Sequence, residues 1–122
     1  MNAHAFSGYG AVNSPIKDSR TAEAQLLQRL TGAMEQASHN PADFPGLVRA
    51  ISDNQTFWHQ IAFDLASDDN RLPAPLKAGL LSLAAFTEKH TSRILAGKAD
   101  VTPLLDMNRT VIRGLMGQGA AA

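Results

Sequence analysis

The side chains that offer chemistry in this chain are few: four histidines (His4, His39, His59, His90), some carboxylates, and scattered serines and asparagines. A metal site needs ligands that a fold can bring to one point, and compact motifs do this with His, Asp or Glu one helical turn apart. Neither His59 nor His90 has such a partner, since Asp64 falls five residues beyond His59 and on another face. Asp68 and Asp69 lie together, but the alternating ligands and closing Glu of a calcium loop are missing. Ser52, Ser82 and Ser92 stand in helix-forming stretches, with no glycine-rich elbow to expose a nucleophile and no assigned base. No glycine run suits a phosphate. These residues predict no catalytic centre, no metal and no cofactor, and an enzyme is the weakest of the functional readings.

A different set is more informative. Residues 44–66 (FPGLVRAISDNQTFWHQIAFDLA) hold the single Trp and an apolar series at helical spacing: Leu47, Ile51, Trp58, Ile61 and Leu65, with Phe57 beside it. Asn54 falls on that same face. A buried amide is costly unless its donors and acceptors are paired, so Asn54 demands a partner. His90 and Asn108 occupy equivalent positions, each inside an apolar stripe of its own segment. Two arrangements fit. Asn54, Trp58, His90 and Asn108 form an internal network between helices, or they line a groove completed by a partner's helix. Taken alone, His90 reads as a hydrogen-bonded packing residue rather than a base.

Four periodic segments must position these groups. The first helix is predicted over residues 19–38, capped by Asp18 or Ser19, with a stripe of Leu26, Leu30, Met34 and Ala37 widened by Leu27 and Ala33. The second follows Asp43 as cap, with Pro45 in its first turn, and ends at Ser67-Asp68-Asp69-Asn70. The third opens among the prolines at 73 and 75, carries Leu76, Leu80, Leu83, Thr87, His90 and Ile94 flanked by Leu81 and Phe86, and stops at Gly97. Gly79 inside it suggests a close helix crossing. The fourth is short, with Thr102 as cap, Pro103 in the first turn and Leu104, Asn108, Val111 and Leu115 on one face. No strand signal appears. The prediction is an all-α bundle of about four helices, with Trp58, Ile61, Leu80, Leu83 and Val111 in its core.

The partition that follows is an irregular N-terminal arm at 1–18, a helical domain at 19–116 and a flexible tail at 117–122. The arm carries Phe6, Tyr9, Val12 and Ile16 between glycines. That is too apolar for an idle tail, so Phe6 and Tyr9 are candidate contacts to the body or to a partner.

Bulk properties narrow the function. With 122 residues the chain is one domain, and its 11 basic and 11 acidic side chains balance. Neutrality argues against binding to a nucleic-acid backbone or a membrane surface. Arg109 and Arg113 could touch phosphates, but they equally suit a solvated helix end. The charge is nevertheless divided: residues 1–70 carry 4 Lys/Arg against 8 Asp/Glu (4 − 8 = −4), and residues 71–122 carry 7 against 3 (7 − 3 = +4). The absence of cysteine removes disulfides and thiolate chemistry. No secretory signal and no membrane span is legible, which leaves a cytoplasmic protein as the expectation.

Several strings are more particular than generic amphipathic helices. They are DNQTFW at 53–58, Asp64-Leu65 followed by NRLP at 70–73, EKHT at 88–91, and LLDMNR at 104–109 running on to Gly114-Leu115. With these the chain, from Tyr9 to about Met116, resembles the FlaF family of alphaproteobacterial flagellar biosynthesis regulators. Two departures are mild: Phe57 precedes Trp58 where the family has Leu, and Phe86 stands where it frequently has Trp. The resemblance implies a small, helical, non-enzymatic cytoplasmic protein that promotes flagellin production and filament assembly by binding flagellin as a secretion chaperone. Its implied partners are flagellin and FlbT, a second regulator that acts on flagellin messenger RNA. An adaptor working through FlbT or that messenger is the alternative, and self-association as a homodimer is open as well.

Overall fold

The computed structural model describes residues 13–117, with side chains from residue 20 onward. Four helices account for most of it: α1 (Asn13–Ser38), α2 (Phe44–Leu65), α3 (Ala74–Leu95) and α4 (Thr102–Leu115). The fold is an all-α four-helix bundle. The helices pack in the order α4, α1, α2, α3, and the two ends of that series, α3 and α4, barely touch.

α1 starts at Asn13, well before the predicted residue 19. Pro15 therefore lies in a first helical turn, where its missing N–H has no intrahelical acceptor to lose. The proline and the glycines before it read as a break in the sequence, yet α1 runs through Pro15. The buried face of α1 is Ala24, Leu27, Thr31 and Met34. This is rotated from the expected stripe: Leu26, Leu30 and Ala37 are half-buried and Ala33 is exposed. The apolar face is broad enough to allow either axis, and the true one runs through a threonine.

α2 is the central element. Asp43 caps it, its carboxylate accepting from the Gly46 N–H at 3.0 Å. Ile51, Asn54, Phe57, Trp58, Ile61 and Leu65 are buried along it. Past its end, Asn70 Oδ1 accepts from the Leu72 N–H at 3.0 Å, which turns the chain into α3. On α3, Leu80, Thr87, His90 and Ile94 are buried, whereas Leu83 is half-buried and Leu76 is 47% exposed. Val111 of α4 is likewise half-buried against the core.

Two local expectations are corrected. Thr102 does not cap α4. Its N–H donates to Asp100 Oδ1 at 2.9 Å, so the carboxylate two residues upstream does that work. Gly79 sits at no close crossing, because a Cβ there would meet nothing within 4 Å. Gly79→Ala should thus raise the unfolding free energy by about 1 kcal/mol through helix propensity alone. A urea titration checks this, and a loss of stability would show a steric demand at that position. Gly97, at φ 76, does occupy the left-handed region that ends α3.

Candidate functional site

The interior is two apolar clusters rather than one. The first gathers Leu27, Phe57, Trp58, Ile61, Leu65, Leu80, Ala84 and Ile112. The second gathers Met34, Ile51, Ile94, Val101, Leu104 and Leu105 with Ala50. On every helix a polar residue stands between its contributions to the two: Thr31 on α1, Asn54 on α2, Thr87 and Thr91 on α3, and Asn108 on α4. A polar layer therefore crosses the bundle at one level.

Asn108 is its hub. Its Oδ1 accepts from the Trp58 indole N–H at 3.1 Å. Its Nδ2 donates to Asn54 Oδ1 at 2.8 Å and to Thr31 Oγ1 at 3.1 Å. Both amide protons and the carbonyl are thus engaged. Thr31 in turn donates to the Leu27 carbonyl at 2.7 Å. The remaining members are less well served, since Asn54 Nδ2 and Thr91 Oγ1 are buried without a hydrogen-bond partner. Phe57 meets Trp58 edge to face, ring centroids 5.6 Å apart.

Of the four residues singled out in the sequence, the structure brings together Asn54, Trp58 and Asn108. His90 is not with them. Its Nε2–H donates to the Asp100 carbonyl at 2.8 Å, and its ring stacks on Phe86 at 5.2 Å. This contact closes the far end of the α3/α4 gap, helped by Thr87, whose hydroxyl lies 3.7 Å from the Met107 sulfur. Phe6 and Tyr9 lie outside the described residues. Thr31 and Thr91 are also buried in this layer, and the sequence marks them only faintly. The only signal they offer is a polar residue spaced like the apolar ones, at 27-31-34 and 87-91-94.

Other charged groups are paired across helices. His59 donates through Nε2 to Glu88 Oε1 of α3 at 3.0 Å, a partner that local spacing around His59 does not reveal. Arg109 pairs with Glu35 of α1, and both are exposed, so the pair contributes little to stability. Among the described residues no group of three or more His, Cys, Asp or Glu could hold a metal ion. Ser52, Ser82 and Ser92 are exposed. No described helix is long and apolar enough to cross a membrane.

Glu23 of α1 has a displaced titration. Burial pushes its carboxyl up to about 7, and the nearby Asp64 carboxylate adds to the rise. Its Oε1 is buried without a partner, while Asp64 accepts from Asn70 Nδ2 at 3.4 Å. The folded state holds this proton more tightly than the unfolded chain. The stabilising contribution is therefore complete below 4.5 and is lost as pH rises to about 7. Glu23→Gln should melt like wild type near pH 4.5 and exceed it above pH 7, by on the order of 1 kcal/mol given the solvent-exposed part of the side chain. Melting curves across that range test the sign, and a wild type more stable than the variant at pH 8 would reverse it.

The described residues form an all-α four-helix bundle crossed by a buried polar layer and left open along the seam between α3 and α4. Over residues 5–115 the chain matches the model of a family described as "Flagellar protein FlaF". It is a member of that family and serves flagellum biogenesis. No curated protein and no solved structure matches it.

Proposed function

We propose that this protein promotes flagellin production and filament assembly by binding flagellin in the cytoplasm as a secretion chaperone. The observation that supports the reading most directly is the incomplete bundle. α3 is packed on α2 but scarcely on α4, and Leu76, Leu81, Phe86 and Leu95 of this one helix remain exposed. A helix that is apolar on more than one side is normally covered on more than one side. Flagellin's terminal regions, helix-forming and apolar along one face, are the kind of segment that needs cover before export, and a helix-in-groove contact supplies it.

Calorimetric titration of purified flagellin into the full-length protein tests the proposal. Saturable binding at one-to-one stoichiometry is expected. No heat with flagellin but saturable binding to FlbT or to flagellin messenger RNA would replace the chaperone by an adaptor. The N-terminal arm belongs to the same proposal: removing residues 1–12, which precede α1, should weaken flagellin binding about tenfold, or 1.4 kcal/mol, and leave the melting curve unchanged. A lower melting point would instead assign Phe6 and Tyr9 to covering the body.

A further inference from the structure

We infer that the seam between α3 and α4 is the docking surface, and that it takes an amphipathic helix whose apolar stripe is bordered by carboxylates on the side facing α3. The inference rests on the helix-binding role proposed above and assigns it a place and a chemistry.

The seam is closed at one end only. There the His90 bond to the Asp100 carbonyl and the Thr87–Met107 contact tie the two helices. Helical phase puts Leu76, Gly79, Leu83 and Phe86 of α3 on the flank that carries His90, turned toward α4. The flank that faces them on α4 carries Met107, Val111 and Gly114. Leu83, Met107 and Val111 are half-buried against the Trp58 cluster and form a floor, while Leu76 and Phe86 are exposed at the rim. Phe86 is held in place by its stack on His90, so a partner meets an aromatic ring already ordered, which lowers the entropic cost of docking. A Cβ at Gly79 or at Gly114 would meet nothing within 4 Å. Both positions leave room for another backbone to approach closely.

Charge selects among apolar helices. Lys89 and Arg93 lie along the same flank of α3, just outside Phe86, and both are exposed. Arg93 Nη2 donates to the Lys98 carbonyl at 3.2 Å, which keeps the guanidinium and the Lys98 backbone together at the closed end. The only carboxylate on α3 is Glu88, on the opposite flank, where His59 of α2 holds it. On α4, Arg109 is drawn to the α1 side by Glu35, and helical phase puts the exposed Asp106 and Arg113 on the outer face, so the wall formed by Met107, Val111 and Gly114 is uncharged. The result is an apolar trough with one basic edge. A helix with an acidic border complements it, and one with a basic border is repelled.

Two synthetic helical peptides with the same Leu/Ala stripe, one with Glu borders and one with Lys borders, test the inference by fluorescence anisotropy with the full-length protein. The Glu peptide should bind at least about tenfold more tightly, and the preference should shrink as salt rises. Phe86→Ala should weaken it about tenfold, as expected for an aromatic anchor. The double variant Lys89→Glu/Arg93→Glu should reverse the preference between the peptides. Circular dichroism melts of both variants must overlay wild type for these readings to count. Leu76→Glu, a fully peripheral change at the open end, is the second variant if Phe86→Ala unfolds.

Equal affinity for the two peptides overturns the inference, as does full affinity after Phe86→Ala. If binding appears only after residues 1–12 are removed, the chain's own arm fills the seam. If wild type sediments as a dimer that Phe86→Ala dissociates, a second copy does. Either result replaces the partner helix. Flagellin binding that survives both variants would keep the chaperone and remove this surface. Selective Glu-peptide binding without flagellin binding would do the opposite.

Discussion

Trp58→Ala is expected to lower the unfolding free energy by about 3–5 kcal/mol, the range of large aromatic truncations in packed cores. The side chain is 1% exposed and lies in the larger apolar cluster with Leu27, Ile61, Leu80 and Ile112. Its loss removes three things at once: buried area, the edge contact with Phe57, and the indole N–H that satisfies Asn108 Oδ1. At about 4 °C or more per kcal/mol for a domain near this size, the melting point should fall far outside experimental error. Trp58→Phe separates the contributions. It retains most of the volume and loses the hydrogen bond, and should cost about 1–3 kcal/mol. Were Trp58→Ala to melt with wild type, the residue would have no role in the core and would become an interface candidate.

Asn108→Ala should cost nearly as much, on the order of 4 kcal/mol, although only a small polar side chain is removed. The substitution strands the Trp58 N–H and the Asn54 carbonyl oxygen in a dry interior, and each buried orphan costs about 1–3 kcal/mol. Asn54→Leu should be milder, about 1–2 kcal/mol. It leaves one Asn108 proton unpaired, but it also eliminates the Asn54 Nδ2 group that is already buried without a partner. The two variants therefore rank Asn108 above Asn54, a difference that denaturant unfolding resolves. A cost below about 0.5 kcal/mol for Asn108→Ala would show that water enters and satisfies the layer. Because the layer is internal, flagellin affinity of Asn54→Leu should stay within about twofold of wild type, against the tenfold losses expected along the seam.

The polar layer also accounts for how the bundle keeps its register. Apolar stripes alone tolerate sliding by a turn, since one leucine replaces another at little cost. Asn108 tolerates none: a shift of α4 by one turn would move its amide away from Thr31, Asn54 and Trp58 together. A buried amide of this kind gives up some stability for specificity in other helical assemblies. Here the same argument explains why a short helix of 14 residues is seated uniquely against α1 and α2.

The sequence makes the helices from α2 onward legible, because each is written in strong local signals: Asp43 and Pro45 at one start, prolines 73 and 75 at the next, Gly97 at a stop. It also identified Asn54 and Asn108 as anomalous, since an amide inside an apolar stripe has a desolvation cost whatever it packs against. It did not determine where α1 begins, because Asn13 and Pro15 are compatible with both a break and a first turn. It could not show that Asn54 and Asn108 are each other's partners while His90 belongs to Asp100. Residues 54 and 108 are joined by nothing local, and only the diagonal placement of α4 across from α2 brings them to 2.8 Å. Thr31 was invisible for a related reason. A threonine in a helix is unremarkable until the third dimension sets an amide beside it. The open seam, too, was decided by tertiary structure alone: the stripe of α3 reads as one continuous core face, yet α4 is too short and too far over α1 to cover all of it, so Leu76 and Phe86 stay in water.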